Sequence, residues 1–205
     1  MSSRIVTLPN LLTVIRMALI PVFVIFLYYQ RFWLALAVFV TAGVTDGLDG
    51  MLARRFDQKS QLGTILDPIA DKLLLVTAFV TLSMPSVISR SALPPPHGNL
   101  HLPVPFWVTT AVISRDIFIV VGAAAINIVT GFRNFRPSRL GKVNTVVQIV
   151  SIVIILLATR LPLLRGYALP TLYATVFVLA VLSGAHYVFH ASRLLNEDRQ
   201  QPRGQ

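Results

Sequence analysis

Hydrophobic positions along the chain gather into six long runs, roughly 9–29, 33–55, 62–84, 105–129, 141–159 and 169–190, parted by short polar stretches. Each approaches the ~20 apolar residues that a helix needs to cross the hydrocarbon of a bilayer. The pattern predicts an all-α integral membrane protein, a bundle of about six transmembrane helices, with no soluble domain between the spans. One feature breaks it. From Asp46 to Asp71 the chain reads DGLDGMLARRFDQKSQLGTILDPIAD, which sets four aspartates, Asp46, Asp49, Asp67 and Asp71, among apolar neighbours. A carboxylate inside a span is costly and by default marks a functional site.

Composition sharpens this picture. With 205 residues the chain is expected to be a single membrane domain, 1–205. Hydrophobic residues make up 55% and charged residues 13%, with mean hydropathy +0.71, which excludes disorder and argues against a soluble globule. The absence of cysteine removes disulfides, thiol catalysis and Cys-ligated metals. A net charge of +10 would ordinarily raise nucleic acid as a partner. Here the basic residues sit in short loops, so they report topology and anionic lipid headgroups or substrates instead. Eleven of the eighteen lie on one side of the predicted spans and four on the other, which makes both termini and the turn of the aspartate hairpin cytoplasmic. The first apolar run has no small-residue cleavage site and reads as a membrane helix, not a removed signal. The short segment before it does not suggest a transit peptide, and a prokaryotic inner (plasma) membrane is expected. The loop near Pro94, Pro95 and Pro96 carries His97 and His101, but prolines keep them off a common helical face, and it reads as a plain outer loop.

Spacing gives the aspartates their chemistry. Asp46 and Asp49 are three apart, and Asp67 and Asp71 are four apart, so each pair shares a helix face. The short connection makes the two helices antiparallel neighbours, with both pairs about 8–9 Å inside the cytoplasmic boundary. Four facing carboxylates cannot all stay ionised without counter-charge. Hard divalent cations supply it: Mg²⁺ takes oxygen ligands and substrate phosphates, and two ions suit a phosphoryl-transfer site. The predicted centre is thus an intramembrane metal site open to the cytoplasm. Gly47, Gly50 and Gly63 leave bare backbone where a phosphate or base could approach, or serve helix packing. Arg54 is placed to contact a phosphate or nucleobase, whereas Arg55 and Lys59 read as loop charges.

The pattern Asp46-x-x-Asp49-Gly50-x-x-Ala53-Arg54, eight residues, Gly63-x-x-x-Asp67-x-x-x-Asp71 resembles the signature of the CDP-alcohol phosphatidyltransferase family at all eight fixed positions. The resemblance extends to the six-span layout. It implies that an alcohol acceptor attacks the β-phosphorus of a CDP-activated lipid and that CMP leaves. Asp46, Asp49 and Asp67 would bind Mg²⁺ (or Mn²⁺), two ions in all, while Asp71 would be the general base and touch a metal. Gly50, Ala53 and Arg54 would form the cytidine-nucleotide pocket, with Gly63 beside it. A homodimer is implied as well.

Three further polar groups stand inside spans or beside them. Asn10, Thr13 and Arg16 recur every three residues, in an opening that resembles phosphatidylglycerophosphate synthases and eukaryotic-type cardiolipin synthases. Arg16 either snorkels to the headgroups or lines the mouth of the site. Arg115 and Asp116 form either a local ion pair or part of the acceptor pocket. Arg133, Arg136, Arg139 and Lys142 cluster before the fifth run, and Lys142, Thr145 and Gln148 share a face. Arg115, Arg139 and Lys142 are the candidates for an acceptor phosphate, which arginine recognises well. Gly141-Lys142, Thr145 and Gln148 resemble phosphatidylglycerophosphate synthases. Arg115-Asp116 and Lys142-Val143-Asn144-Thr145 resemble cardiolipin synthases instead, and Val121-Gly122-Ala123-Ala124 lacks a base that the former usually carry. The expected reaction is transfer from CDP-diacylglycerol to glycerol 3-phosphate, with phosphatidylglycerol as the alternative acceptor. An intramembrane prenyltransferase would need a second aspartate-rich motif, and the later spans offer only Asp116. A cation transporter would not need Gly50-x-x-Ala53-Arg54.

Overall fold

The computed structural model describes the backbone of residues 8–55, 61–88, 103–130, 139–164, 166 and 168–200. Side chains are described over 11–47, 69–88, 103–122, 140–161, 163–164, 166 and 168–189. The described residues form helices α1 (Leu8–Tyr28), α2 (Phe32–Arg55), α3 (Gln61–Ser83), a single turn α4 (Pro85–Ile88), α5 (Phe106–Thr130), α6 (Arg139–Ala158) and α7 (Ala168–Gln200), with a 3-10 turn at Pro162–Leu164 and no strand. The six long helices coincide with the six apolar runs to within a residue or two, except that α7 continues ten residues past its expected end at 190. That extension, ASRLLNEDRQ, contains good helix formers and neither Gly nor Pro, so the helix persists after its apolar part stops.

Three segments are long and apolar enough to cross a membrane, Leu11–Tyr28, Leu140–Ala158 and Ala168–Phe189, and Phe32–Gly47 is a shorter apolar stretch. The packing has the polarity of a membrane protein. Trp33, Phe106, Phe118, Val121, Val146, Leu182 and Phe189 are exposed, whereas Thr13, Arg16, Arg115, Asp116, Asn144, Gln148 and Ser183 are buried. So much outward apolar surface suits lipid and not water.

The core lies where α1 packs along α2 and α3, and where α7 packs on α5 and α6. Phe23 and Leu27 of α1 share the core with Phe39 of α2, and the Phe23 and Phe39 rings lie 5.8 Å apart. Phe79 and Leu82 of α3, Ile152 and Ile155 of α6, and Val176 of α7 complete the cluster. Between α1 and α2 the chain turns at Gln30, whose φ is 58°. There the Arg31 N–H donates to the Phe26 carbonyl and the Gln30 N–H to Leu27, a Schellman closure of the helix end. Trp107 stacks edge-on against Phe177, and Arg115 bonds Ser183 one to two turns later, so α5 and α7 run parallel. Hydroxyls of Ser83 and Thr109 join α3 to α5.

Candidate active site

Asp46 stands just past the middle of α2 and Asp71 at the middle of α3. Direct packing of α2 on α3, expected from the short connection, is not what brings them together: among the described residues both helices pack along α1. Their carboxylates converge. Oδ1 of Asp46 and Oδ1 of Asp71 each lie 2.7 Å from the same atom, Nη1 of Arg16 on α1. The two oxygens are therefore at most twice 2.7 Å apart. Arg16 is fully buried, while both carboxylate side chains are 40% exposed. A guanidinium taken out of solvent needs good charged partners, and two aspartates provide them. Arg16 thus does not snorkel to the headgroups; it is buried against both carboxylates.

A second charge centre lies one residue further along α3. Nζ of Lys72 donates to Oδ1 of Asp116 on α5 at 2.8 Å, and Nη1 of Arg115 donates to the same oxygen at 2.6 Å. Nε and Nη2 of Arg115 both donate to Oγ of Ser183 on α7, at 3.2 and 2.9 Å. Asp116 and Arg115 are almost wholly buried. The local ion pair between residues 115 and 116 is present, and Lys72 and Ser183 extend it across three helices. On α6, Asn144 and Gln148 are fully buried with side-chain amides that have no hydrogen-bond partner among the described residues. Lys142 is exposed one turn before Gln148's neighbour Thr145.

A cavity of about 310 Å³ opens beside the paired aspartates. Asp46, Asp71 and Thr145 line one end of it; Phe39 and Val153 line it some two turns away, with Gly43 and Leu75 between. At ~1.5 Å per residue, the seven positions from Asp46 back to Phe39 span roughly 10 Å of apolar wall. A Cβ built on Gly43 would meet nothing within 4 Å, so this glycine widens the groove. The arrangement pairs a carboxylate head with a greasy slot.

The donor set of Asp46 and Asp71 fits a hard divalent cation, since two carboxylate oxygens already converge on one positive charge. No group of three or more His, Cys, Asp or Glu is found among the described residues. The side chains of Asp49 and Asp67 lie outside those residues, as do those of Gly50, Ala53, Arg54, Gly63 and Arg139, though their backbones belong to α2, α3 and α6. Reasoning from sequence left Arg16 undecided and passed over Lys72. The available signal was a lone base within an apolar run, which demands an acidic partner.

The family model for CDP-alcohol phosphatidyltransferases matches residues 6–186. The chain belongs to the CDP-alcohol phosphatidyltransferase family. As a phosphatidyltransferase it is similar to the "Probable phosphatidylglycerophosphate synthase" of Mycobacterium tuberculosis, with 33% identity over 97% of this chain and 88% of the relative. It is 37% identical to the "CDP-diacylglycerol--glycerol-3-phosphate 3-phosphatidyltransferase" of Cereibacter sphaeroides, over 79% of this chain and 68% of that enzyme. To the "Cardiolipin synthase (CMP-forming)" of Rattus norvegicus it is 34% identical, over 70% of this chain and 48% of the rat enzyme. The phosphatidyltransferase motif runs through both helices that carry the paired carboxylates.

Proposed function

We propose that the protein transfers a phosphatidyl group from CDP-diacylglycerol to glycerol 3-phosphate in a Mg²⁺-dependent reaction that releases CMP. The observation that carries this reading is the pairing of Asp46 and Asp71 at the mouth of an apolar cavity. A diphosphate headgroup needs cations held by carboxylates, and acyl chains need an apolar slot; the two adjoin here. Glycerol 3-phosphate is favoured as acceptor because relatives that align over most of both chains, this one and their own, are named for that chemistry.

Asp46, Asp49, Asp67 and Asp71 would hold two Mg²⁺ (or Mn²⁺) ions, whose charge when bound neutralises the diphosphate and the departing CMP. Asp71 accepts the proton of the acceptor hydroxyl as that oxygen attacks the β-phosphorus. The bond from this phosphorus to the CMP oxygen breaks, and CMP leaves with the electron pair. Gly50, Ala53, Arg54 and Gly63 form the cytidine pocket. Arg139 and Lys142, on the first turn of α6, receive the acceptor's phosphate. Arg115 joins them only by exchanging Asp116 or Ser183 for that phosphate. In this reading the six long helices all span a prokaryotic plasma membrane, both termini are cytoplasmic, and the enzyme is a homodimer.

Phosphatidylglycerol is the second acceptor to consider, favoured by the Arg115–Asp116 pair and by cardiolipin synthases among the relatives. Purified protein in detergent, supplied with Mg²⁺ and CDP-diacylglycerol, distinguishes them by CMP release. Release with glycerol 3-phosphate and not with phosphatidylglycerol is expected. Release only with phosphatidylglycerol makes the enzyme a cardiolipin synthase, and release with neither removes the acceptor assignment.

A further inference from the structure

We propose that Arg16 is the resident counter-cation of the aspartate site: it holds Asp46 and Asp71 together before a divalent ion binds, and cedes them to that ion. The inference rests on the metal site proposed above. Its basis is that one guanidinium nitrogen lies 2.7 Å from a carboxylate oxygen on each of two helices, α2 and α3, while itself belonging to a third, α1. The guanidinium is fully buried, and it brings a standing positive charge to the two carboxylates.

A standing charge at that position has two opposed effects. It stabilises the pair of carboxylates while no ion is bound, because two like charges this close need a partner. It also repels any divalent cation that seeks the same oxygens, and it occupies their lone pairs by hydrogen bonding. A residue that binds the ligand oxygens in the free enzyme must be displaced or stretched when the ion arrives, and the linkage lowers the ion's apparent affinity. A strut that merely positions the oxygens would do the reverse, since its loss would scatter the ligands and weaken the ion. The sign of the change therefore separates a competing counter-cation from a strut. Thr13, three residues earlier and also fully buried, continues the polar stripe of α1 towards this position. Phe23 and Leu27, which anchor the other half of α1 in the core, keep the helix in place when the charge is removed.

The test measures binding of Mn²⁺ to the full-length protein in detergent, read from the electron paramagnetic resonance of the free ion, alongside thermal unfolding with and without Mn²⁺. Arg16→Gln is expected to bind Mn²⁺ more tightly than wild type, by on the order of tenfold. Its ion-free form should melt lower than wild type, and its rise in melting temperature on adding Mn²⁺ should be larger. Arg16→Met, of similar length and without charge, carries the same expectation if the glutamine variant does not fold. Wild-type Mn²⁺ binding with unchanged or weaker affinity in both variants would overturn the exchange while leaving the metal site standing. Absence of Mn²⁺ binding in wild type overturns both.

Discussion

Asp71 and Lys72, consecutive on α3, serve two different charge centres. The Asp71 carboxylate accepts from Arg16 on α1 at 2.7 Å, and the Lys72 ammonium donates to Asp116 on α5 at 2.8 Å. Successive residues on a helix point ~100° apart, so one turn of α3 fastens both α1 and α5. The catalytic motif and the network behind it are thereby held by a single rigid element.

Asp116 is the residue on which the second centre depends. It accepts from Arg115 and Lys72 through one oxygen, and its other oxygen is buried without a partner among the described residues. Asp116→Ala should strand the buried Arg115 guanidinium and destabilise the protein by ~3–5 kcal/mol, less whatever solvation Arg115 regains. Lys72→Met should cost much less, because Lys72 is 36% exposed and its head can already reach solvent. Thermal unfolding of the two single variants and the double variant in detergent measures this, and equal costs for the singles would refute the ranking.

Asp71 has two tasks, and they predict separable losses. As the proposed base, Asp71→Asn should lower CMP release by ~10²–10⁴-fold, the usual contribution of a positioned base. As a partner of Arg16 it shares its role with Asp46, so the same variant should remain folded. A variant that keeps its melting temperature to within a few degrees yet loses turnover supports the base assignment. Full activity removes it.

Gly43 offers a test of the cavity that spares the charged groups. Replacement by leucine meets no atom within 4 Å at its Cβ, so the backbone need not move, and helix propensity alone favours the change by up to ~1 kcal/mol. Gly43→Leu should thus preserve or raise stability while filling the groove next to Asp46 and Asp71. If acyl chains lie there, CMP release should fall most with long-chain CDP-diacylglycerol and least with short-chain donors. Equal effects across chain lengths would place the acyl chains elsewhere.

Gly122 is a glycine of the opposite kind. A Cβ there would come within 2.7 Å of Cε1 of Tyr187, where α5 and α7 run side by side. Gly122→Ala should force the ring or the helices apart and cost ~1–3 kcal/mol, as overpacking does. Pairing it with Tyr187→Leu should recover part of the loss, which a double-variant cycle in thermal unfolding reads directly.

Much of this protein follows from its sequence alone. Apolar runs near twenty residues dictate helices wherever water is absent, because only a helix satisfies every backbone N–H and C=O within one segment. The ends of α1, α2, α3, α5 and α6 therefore lie within a residue or two of the limits that hydrophobicity suggests. The aspartates were legible for the same reason: in such surroundings four carboxylates at helical spacing have no bland explanation. Their family followed from eight fixed positions.

Only the tertiary structure decided who partners whom. Arg16 is 55 residues from Asp71, and Lys72 is 44 from Asp116. Such pairings depend on how each helix is rotated about its axis and how far it slides past its neighbours. A span apolar on nearly every side carries little periodic signal for either, since lipid and protein interior are about equally apolar. From the sequence, an ion pair was open only for Arg115, with its neighbour Asp116. Rotation and register, set by side-chain packing of Phe23 on Phe39 and Trp107 on Phe177, chose Asp46, Asp71 and Asp116.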